Sequence, residues 1–185
     1  MGRVTRKWWW TGAAVVAVAV AAGLVWFKPW ALWVDETVHE ALPSASAPAA
    51  PPTATEAPSS PQTTPAAGPV TLAEGTFISH EHATSGTAKI VRLSDGTPVL
   101  RLEGLDTSSG PDLRVWLSDA PVKEGKDGWR VFDDGKHVSL GKLKGNKGDQ
   151  NYPLPADVDW EAYPSVSIWC DRFDVSFGAA GLVRT

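Results

Sequence analysis

The chain has 185 residues, a formal net charge of −4 and a single cysteine. The mildly acidic balance argues against nucleic acid as a partner, and one cysteine cannot form an intramolecular disulfide. Six of the ten tryptophans precede residue 34 and eight of the fifteen prolines lie between Pro43 and Pro69. This distribution leaves residues 70–185 as the one stretch with enough mixed sequence for a folded domain.

The N-terminus begins with a basic stretch, residues 1–7, and continues as an uncharged apolar run over residues 8–27. Twenty apolar residues in a helix span about 30 Å, the thickness of a bilayer core. The sequence therefore predicts a cytoplasmic basic tail, a single transmembrane helix at 8–27 in contact with the lipid bilayer, and an extracytoplasmic remainder. A cleaved signal peptide is the alternative, but its apolar region is usually only about 7–15 residues long.

Two segments join this predicted anchor to the domain. Residues 28–42 form a juxtamembrane segment, of which 31–42 can continue as a short helix. Residues 43–69 are rich in Pro, Ala, Ser and Thr and carry one charge, so they predict a disordered, polyproline-like stalk. Its extended reach is about 80 Å.

Residues 70–185 read as a succession of short strands with turn signals every eight to twelve residues, and no run of helical length appears. Asp95-Gly96 is a typical hairpin turn. These features predict an all-β fold, an antiparallel β-sandwich or barrel, of which we favour the sandwich. The predicted strands include residues 75–82, 87–93, 98–105, 112–118, 129–132 and 137–140.

The last predicted hairpin contains the only cysteine, Cys170. A two-residue loop at Asp171-Arg172 places Cys170 opposite Phe173, with the apolar residues of each strand on one shared face. The full predicted register pairs Cys170 with Phe173, Ile168 with Val175 and Val166 with Phe177. Cys170 then lies at the mouth of the hairpin and points toward a core.

Five sequence blocks resemble the electron transfer DM-thirteen family. They are GTF at 75–77, HATSG at 82–86, SSGPDLRVWLS at 108–118, LGKLKGNKGDQNYPLP at 140–155 and VSIWCDRFDVSFGAAGL at 166–182. The resemblance implies an extracytoplasmic β-rich domain with a role in redox chemistry or electron transfer. That role is associated with a characteristic cysteine, which matches Cys170.

Cys170 has two interpretations. As a functional thiol it cycles through a sulfenate or mixed disulfide, or binds a metal or haem as thiolate. As a structural residue it is a small buried hydrophobe, since free cysteine is among the most buried residue types.

His80 and His82 lie two apart on a predicted strand, so both imidazoles share one face. With Cys170 they would form a His₂Cys set suited to copper or zinc. Two surface histidines at a strand end are the alternative.

The remaining motifs have structural alternatives. Gly110-Pro111-Asp112 predicts a turn, with a bond to a neighbouring loop or Ca²⁺ binding as its functional interpretation. The glycines and lysines of the polar loop at 142–151 can cradle an anion, while Gln150 and Tyr152 can pack beneath that loop. Trp169 alternates with Cys170 and so faces away from it. The domain's tryptophans can fill a core, line a groove or relay electrons; they are Trp116, Trp129, Trp160 and Trp169.

The favoured hypothesis is a membrane-anchored domain of the bacterial cell envelope that exchanges electrons with an envelope redox partner through Cys170. One alternative is a binding module that recognises a cell-wall component or another envelope protein. The other is a carrier of copper or haem. The sequence has no hydrolase signature and no nucleotide fingerprint, which argues against an enzyme of either kind.

Overall fold

The computed structural model describes residues 3–27, 34–43 and 68–185. Residues 28–33 and 44–67, which include most of the predicted stalk, lie outside the described residues. Helix α1 spans Arg3–Phe27. In the described part of the chain no helix combines the length and the apolarity needed to cross a membrane, so the predicted transmembrane helix at 8–27 finds no support.

The folded part is built almost entirely from strands. Two short 3-10 turns, Lys126–Gly128 and Trp160–Ala162, lie in the connections between strands. The ten strands are β1 Thr37–His39, β2 Val70–Ser79, β3 Ser85–Arg92, β4 Pro98–Asp106, β5 Leu113–Ser118, β6 His137–Lys142, β7 Lys147–Pro153, β8 Ser165–Cys170, β9 Val175–Gly181 and β10 Val183–Arg184.

The strands form one curled sheet in the order β1-β7-β4-β3-β2-β9-β8-β5-β6, with β10 beside β2. Strand β2 belongs to both halves, because it pairs with β3 along most of its length and with β9 at its C-terminal end. The curl brings β6 and β7 into contact. The all-β prediction is confirmed for residues 70–185, but the predicted pair of separate sheets is wrong, because β2 continues from one half into the other.

Gly75 makes the passage between the halves possible. A Cβ at this position would overlap the carbonyl oxygen of Gly181. Only a residue without a side chain allows β2 to approach the end of β9 so closely.

The main core lies inside the curl and takes residues from both halves. The first half contributes Ile90, Leu100 and Leu102, and the second contributes Val115 and Ile168, all with no exposed surface. Burying each such side chain contributes about 1.5–3 kcal/mol before the entropy of ordering is subtracted.

The second half of the sheet is also covered on its outer face. Trp116, Trp169 and Ala179 lie on that face and pack against Phe132, which comes from the connection between β5 and β6. Every residue of β8 is consequently buried. Strand β8 nevertheless alternates small serines with apolar residues, as a strand with one exposed face would, so the alternation pattern of the sequence does not indicate this second cluster.

The hairpin of β8 and β9 keeps its predicted faces but not its predicted register. Cys170 pairs with Val175 and not with Phe173, so the loop has four residues, 171–174. A shift of two residues preserves the face of each side chain, and an irregularity between Ile168 and Trp169 moves the remaining pairs one step further. Phe173 lies in the loop with 55% of its surface exposed, and Asp174 has a positive φ of 50°. The predicted core position of Phe173 is therefore wrong.

Residues 34–43 are extended, not helical. Thr37–His39 pairs in parallel with Lys147–Asp149 and becomes the edge strand of the sheet. The predicted short helix at 31–42 is therefore wrong for its described part. The reason is tertiary, because β7 offers an unpaired edge that these residues fill.

Candidate functional site

Cys170 lies inside the main core with 0% of its surface exposed. Its neighbours across the strands are Leu113 and Val175, and it is a free thiol. Reactive cysteines lie in partially exposed, electropositive surroundings. The surroundings of Cys170 are those of a buried hydrophobe, and a partner protein cannot reach its sulfur without opening the sheet.

His80 is buried on the opposite, outer side of the sheet. Its Nε2 lies 3.0 Å from the carbonyl oxygen of Lys123, and its Nδ1 lies 2.9 Å from Ser176 Oγ. Since a carbonyl only accepts, Nε2 carries the proton and Nδ1 accepts from Ser176. Ser176 in turn accepts from Ser167 Oγ at 2.9 Å. Both ring nitrogens of the neutral imidazole are thus satisfied.

His82 faces elsewhere. Its ring stacks on Phe177 with 3.8 Å between the centroids, and its Nε2 lies 3.9 Å from Glu81. Strand β2 ends at Ser79, so the alternation that would place both imidazoles on one face does not apply. No group of three or more potential ligands drawn from His, Cys, Asp and Glu occurs in the described ranges, and the predicted His₂Cys set is not assembled there.

A series of stacked rings runs inward from the surface of the second half. The exposed ring of His137 lies 4.1 Å from Trp116 at an angle of 7°, and Trp116 lies 4.9 Å from Trp169 at 21°. Phe132 closes the series, edge-on to Trp169 at 6.5 Å. We call His137, Trp116, Trp169 and Phe132 the aromatic series.

The two indoles of this series are shielded from solvent. Trp116 is 6% exposed and Trp169 is 1% exposed. The buried Nε1 of Trp116 has no hydrogen-bond partner among the described residues. Buried indole N–H groups usually find an acceptor, so this one is unusual.

The whole aromatic series lies in a segment that matches a known family. The family described as "Electron transfer DM13" matches residues 76–182, more than half of the chain. The chain belongs to the electron transfer DM13 family. The resemblance seen in the five sequence blocks is confirmed. No curated protein and no solved structure matches the chain.

Gly110-Pro111-Asp112 lies just before β5 of the DM13 domain and helps to line a cavity of about 260 Å³. The carbonyl oxygen of Asp112 accepts from the backbone N–H of Asp171 at 3.0 Å. Its carboxylate lies 3.5 Å from Arg114 and 3.8 Å from Lys142. The motif therefore holds the loop of the β8–β9 hairpin in place.

Gln150 and Tyr152 lie beneath the polar loop of the DM13 domain. Gln150 Oε1 accepts from the backbone N–H groups of Lys144 and Gly145, at 3.0 and 3.3 Å, and from the Tyr152 hydroxyl at 2.8 Å. Gln150 Nε2 donates to the carbonyl of Gly145 at 2.7 Å. Burial raises the pKa of Tyr152 to about 12, so its hydroxyl remains a donor at physiological pH.

Only part of the aromatic series could be predicted from the sequence. Alternation from Cys170 places Trp169 on the outer face, and a relay of electrons is one of the roles that the sequence allows for the tryptophans. His137 begins a strand and Phe132 lies in a connection, and no spacing links either residue to Trp116. The outer face of the DM13 sheet is covered by the connection between β5 and β6, and no local pattern in the sequence indicates that contact.

The buried His80 leads to a prediction about pH. Burial lowers the pKa of its imidazole, and the hydrogen bond to Lys123 only partly opposes this. The unfolded chain, with a histidine pKa of about 6.5, then binds more protons than the folded chain as the pH falls. We expect the stability that depends on neutral His80 to be present above pH about 6.5 and to be lost below it.

Urea unfolding at pH 7.5 and at pH 5.5 tests this expectation. His80→Asn should show a smaller loss of stability between the two pH values than the wild-type chain does. His39→Asn, at an exposed position of β1, is the matched control and should leave the loss unchanged. Equal losses in wild type and His80→Asn would contradict the expectation.

Proposed function

We propose that this DM13 protein exchanges single electrons with a partner, and that Trp116 and Trp169 are the groups that carry the charge. One observation carries the proposal: the two indoles stack on each other and, through His137, reach the protein surface. The membership of an electron transfer family supports the same conclusion.

The chemistry requires no bond to form or break. A strong one-electron oxidant at the His137 surface, such as a haem protein in its high-valent ferryl state, takes an electron from Trp116 and leaves an indole radical cation. Trp169, in contact with Trp116, shares the positive charge. A one-electron reductant at the same surface then returns the electron, so each cycle moves one electron from reductant to oxidant. The partners supply the oxidant and the reductant, and the domain supplies the route.

The surroundings of Trp116 favour a charge that stays on the ring. No acceptor lies within hydrogen-bond distance of its Nε1 in the described part of the chain. The proton of the oxidised indole therefore has no side chain or carbonyl to move to. Phe132 and the loop around it exclude water from Trp169.

The sequence alone favours Cys170 as the redox group. It follows Trp169 directly in β8, and its side chain is on the other side of the sheet, in the main core. A mixed disulfide or sulfenate needs an accessible sulfur. The burial of Cys170 therefore favours the indoles as the redox groups and a packing role for the thiol.

One-electron oxidation of the full chain tests the proposal. A photo-oxidised ruthenium tris-bipyridine complex serves as the oxidant, and electron paramagnetic resonance of the frozen sample detects a tryptophan radical. We expect Trp116→Phe and Trp169→Phe to abolish the long-lived radical.

Two control variants give the experiment its specificity. Trp129→Phe removes a partly buried indole outside the aromatic series, and Cys170→Ala removes the thiol; both should retain the radical. A radical that survives in Trp116→Phe and Trp169→Phe but disappears in Cys170→Ala would overturn the proposal and return the chemistry to the cysteine.

We place this activity at the cell envelope, with a redox protein as partner. This placement rests on the sequence alone, in which a basic stretch at 1–7 precedes an uncharged apolar run at 8–27, the order typical of an anchored, extracytoplasmic domain. Fractionation of cells that express the full chain tests the location, because recovery in the soluble cytoplasmic fraction would contradict it. Two alternatives stay open. Recognition of a cell-wall component is tested by retention of the chain on cell-wall material, and carriage of copper or haem is tested by a visible absorption spectrum.

A further inference from the structure

Residues 34–43, which we call the acidic strand, lie along residues 144–151, which we call the strand seat. The backbones pair in parallel from Thr37 with Lys147 to His39 with Asp149. Lys147 N–H donates to Glu36 O at 3.2 Å, and Glu40 N–H donates to Asp149 O at 3.0 Å. The acidic strand is thus an added edge strand of the sheet.

Glu40 is the strongest point of attachment. Its two carboxylate oxygens lie 2.7 and 2.9 Å from Lys144 Nζ, and one of them accepts from the Asn151 backbone N–H at 2.7 Å. Its carbonyl oxygen accepts from Arg101 at 3.0 Å. The hydrogen bond from Lys144 is the main reason that the pKa of Glu40 lies below its usual value.

The other end of the acidic strand is held in the same manner. Asp35 lies 2.9 Å from Lys147 Nζ and accepts from Asn146 Nδ2 at 2.8 Å. Asn146 Oδ1 accepts from the backbone N–H of Glu36 at 2.7 Å. Two carboxylates of the strand therefore meet two lysines of the seat, five residues apart on the strand.

Two glycines shape the seat to a strand backbone. A Cβ on Gly148 would overlap the carbonyl oxygen of Val38, and a Cβ on Gly145 would overlap that of Glu36. The glycines and lysines that suggested an anion cradle in the sequence thus surround an extended acidic peptide. The seat lies within the segment matched to the family, residues 76–182, and the strand lies outside it.

We propose that the strand seat is a recognition site for an extended acidic strand, and that it binds the acidic strand of a second copy of this chain as well as its own. The ten residues of the acidic strand make all of the contacts described above, and residues 44–67 join this strand to the segment that begins β2. That connection has a contour length of roughly 80 Å, several times the radius of gyration of about 13 Å expected for a domain of 100 residues.

A second copy is the partner that fits, because every copy presents the same strand and the same seat. Exchange between two copies replaces each contact by an identical one, so it loses no strand pairing. The effective concentration of the attached strand favours its own seat at low protein concentration. Weakening the attachment within one chain should therefore expose the exchange.

A charge-swapped pair of full-length variants provides the test. Glu40→Lys places two ammonium groups against each other within one chain, and Lys144→Glu places two carboxylates against each other within the other chain. In a mixed dimer, the exchanged strand of the Lys144→Glu chain meets the seat of the Glu40→Lys chain with opposite charges, as in the wild-type contact. In the reciprocal contact, the strand of the Glu40→Lys chain carries the ammonium group and the seat of the Lys144→Glu chain carries the carboxylate, so opposite charges meet there too. We expect native mass spectrometry of the equimolar mixture to show heterodimers that neither variant forms alone.

The double variant Glu40→Lys/Lys144→Glu is the matched control, because its opposite charges meet within one chain, and we expect it to remain monomeric. A mixture that is no more dimeric than the separate variants would overturn the second copy as partner. Any association of the chains through α1 would appear equally in the mixture, in each single variant and in the double variant. The difference in dimer content between these samples therefore reports strand exchange alone.

A synthetic peptide of residues 34–43 tests the seat itself. We expect it to bind the full-length Glu40→Lys chain, and we expect the same peptide with lysine at position 40 to bind the same chain at least about tenfold more weakly, since a lost charged contact costs about 1.4 kcal/mol or more. Equal binding of the two peptides, or no binding of either, would overturn the seat as a site specific for an acidic strand. Neither experiment depends on tryptophan oxidation, so each proposal can fail without the other.

Discussion

Phe132→Ala is expected to lower the free energy of unfolding by about 3–5 kcal/mol, the usual cost of removing a fully buried aromatic ring. Phe132 has 0% of its surface exposed and packs against Trp169 and His80. The hydrogen bond from Ser118 Oγ to its carbonyl, at 3.1 Å, holds the backbone in place, so the surroundings cannot easily collapse into the cavity. Urea unfolding followed by tryptophan fluorescence measures the loss.

Phe173→Ala is the matched control, because it makes the same chemical change in the loop of the β8–β9 hairpin. Phe173 is 55% exposed, and we expect a loss within about 0.5 kcal/mol. Comparable losses in the two variants would support the register drawn from the sequence, in which Phe173 enters the core.

Gln150→Leu is expected to cost at least about 3 kcal/mol, because several buried polar groups each lose a partner at about 1–3 kcal/mol. Gln150 has no exposed surface. Its side-chain amide satisfies the backbone N–H groups of Lys144 and Gly145, the Gly145 carbonyl and the Tyr152 hydroxyl. Leucine fills a similar volume but can bond to none of them. Urea unfolding again measures the loss.

Tyr152→Phe tests the same network more gently. The hydroxyl donates to Gln150 and accepts from the Lys144 backbone N–H at 3.1 Å, and its loss should cost about 1 kcal/mol. Tyr163→Phe, at the chain's other tyrosine, is the control and should cost less.

The prediction for Gln150→Leu is contradicted if that variant is as stable as the wild-type chain, a result that would mean that water replaces the lost hydrogen bonds.

The sequence predicts the face of the sheet on which a side chain lies more reliably than the residue that pairs with it on the neighbouring strand. Period-two alternation places Val166, Ile168 and Cys170 on one face, and the structure buries all three in the main core. The register depends on the length of the turn, and Asp171-Arg172 is a weaker turn signal than Asp95-Gly96. A four-residue loop with Asp174 at positive φ takes its place.

The strand at residues 34–43 could not be predicted because its conformation is tertiary in origin. Its acidic and apolar residues also suit an amphipathic helix, and β7, the strand with which it pairs, lies more than a hundred positions further along the chain. The same holds for the functional candidates. Cys170 is conspicuous in the sequence because it is the only cysteine, whereas the aromatic series becomes visible only when the connection from β5 to β6 covers the sheet.

The pairing of the acidic strand with β7 also decides how tension would pass through this molecule. The connection from α1 to the sheet is residues 28–33, at most about 25 Å of chain, because the next described residues already contact the domain, Val34 through Ser109 and Asp35 through Asn146. Both ends of residues 44–67 are attached to the domain, so lengthening that segment would not move the domain away from α1. A pull on the N-terminus would load the β1–β7 contacts first. Only their rupture would release the roughly 80 Å of chain in residues 44–67.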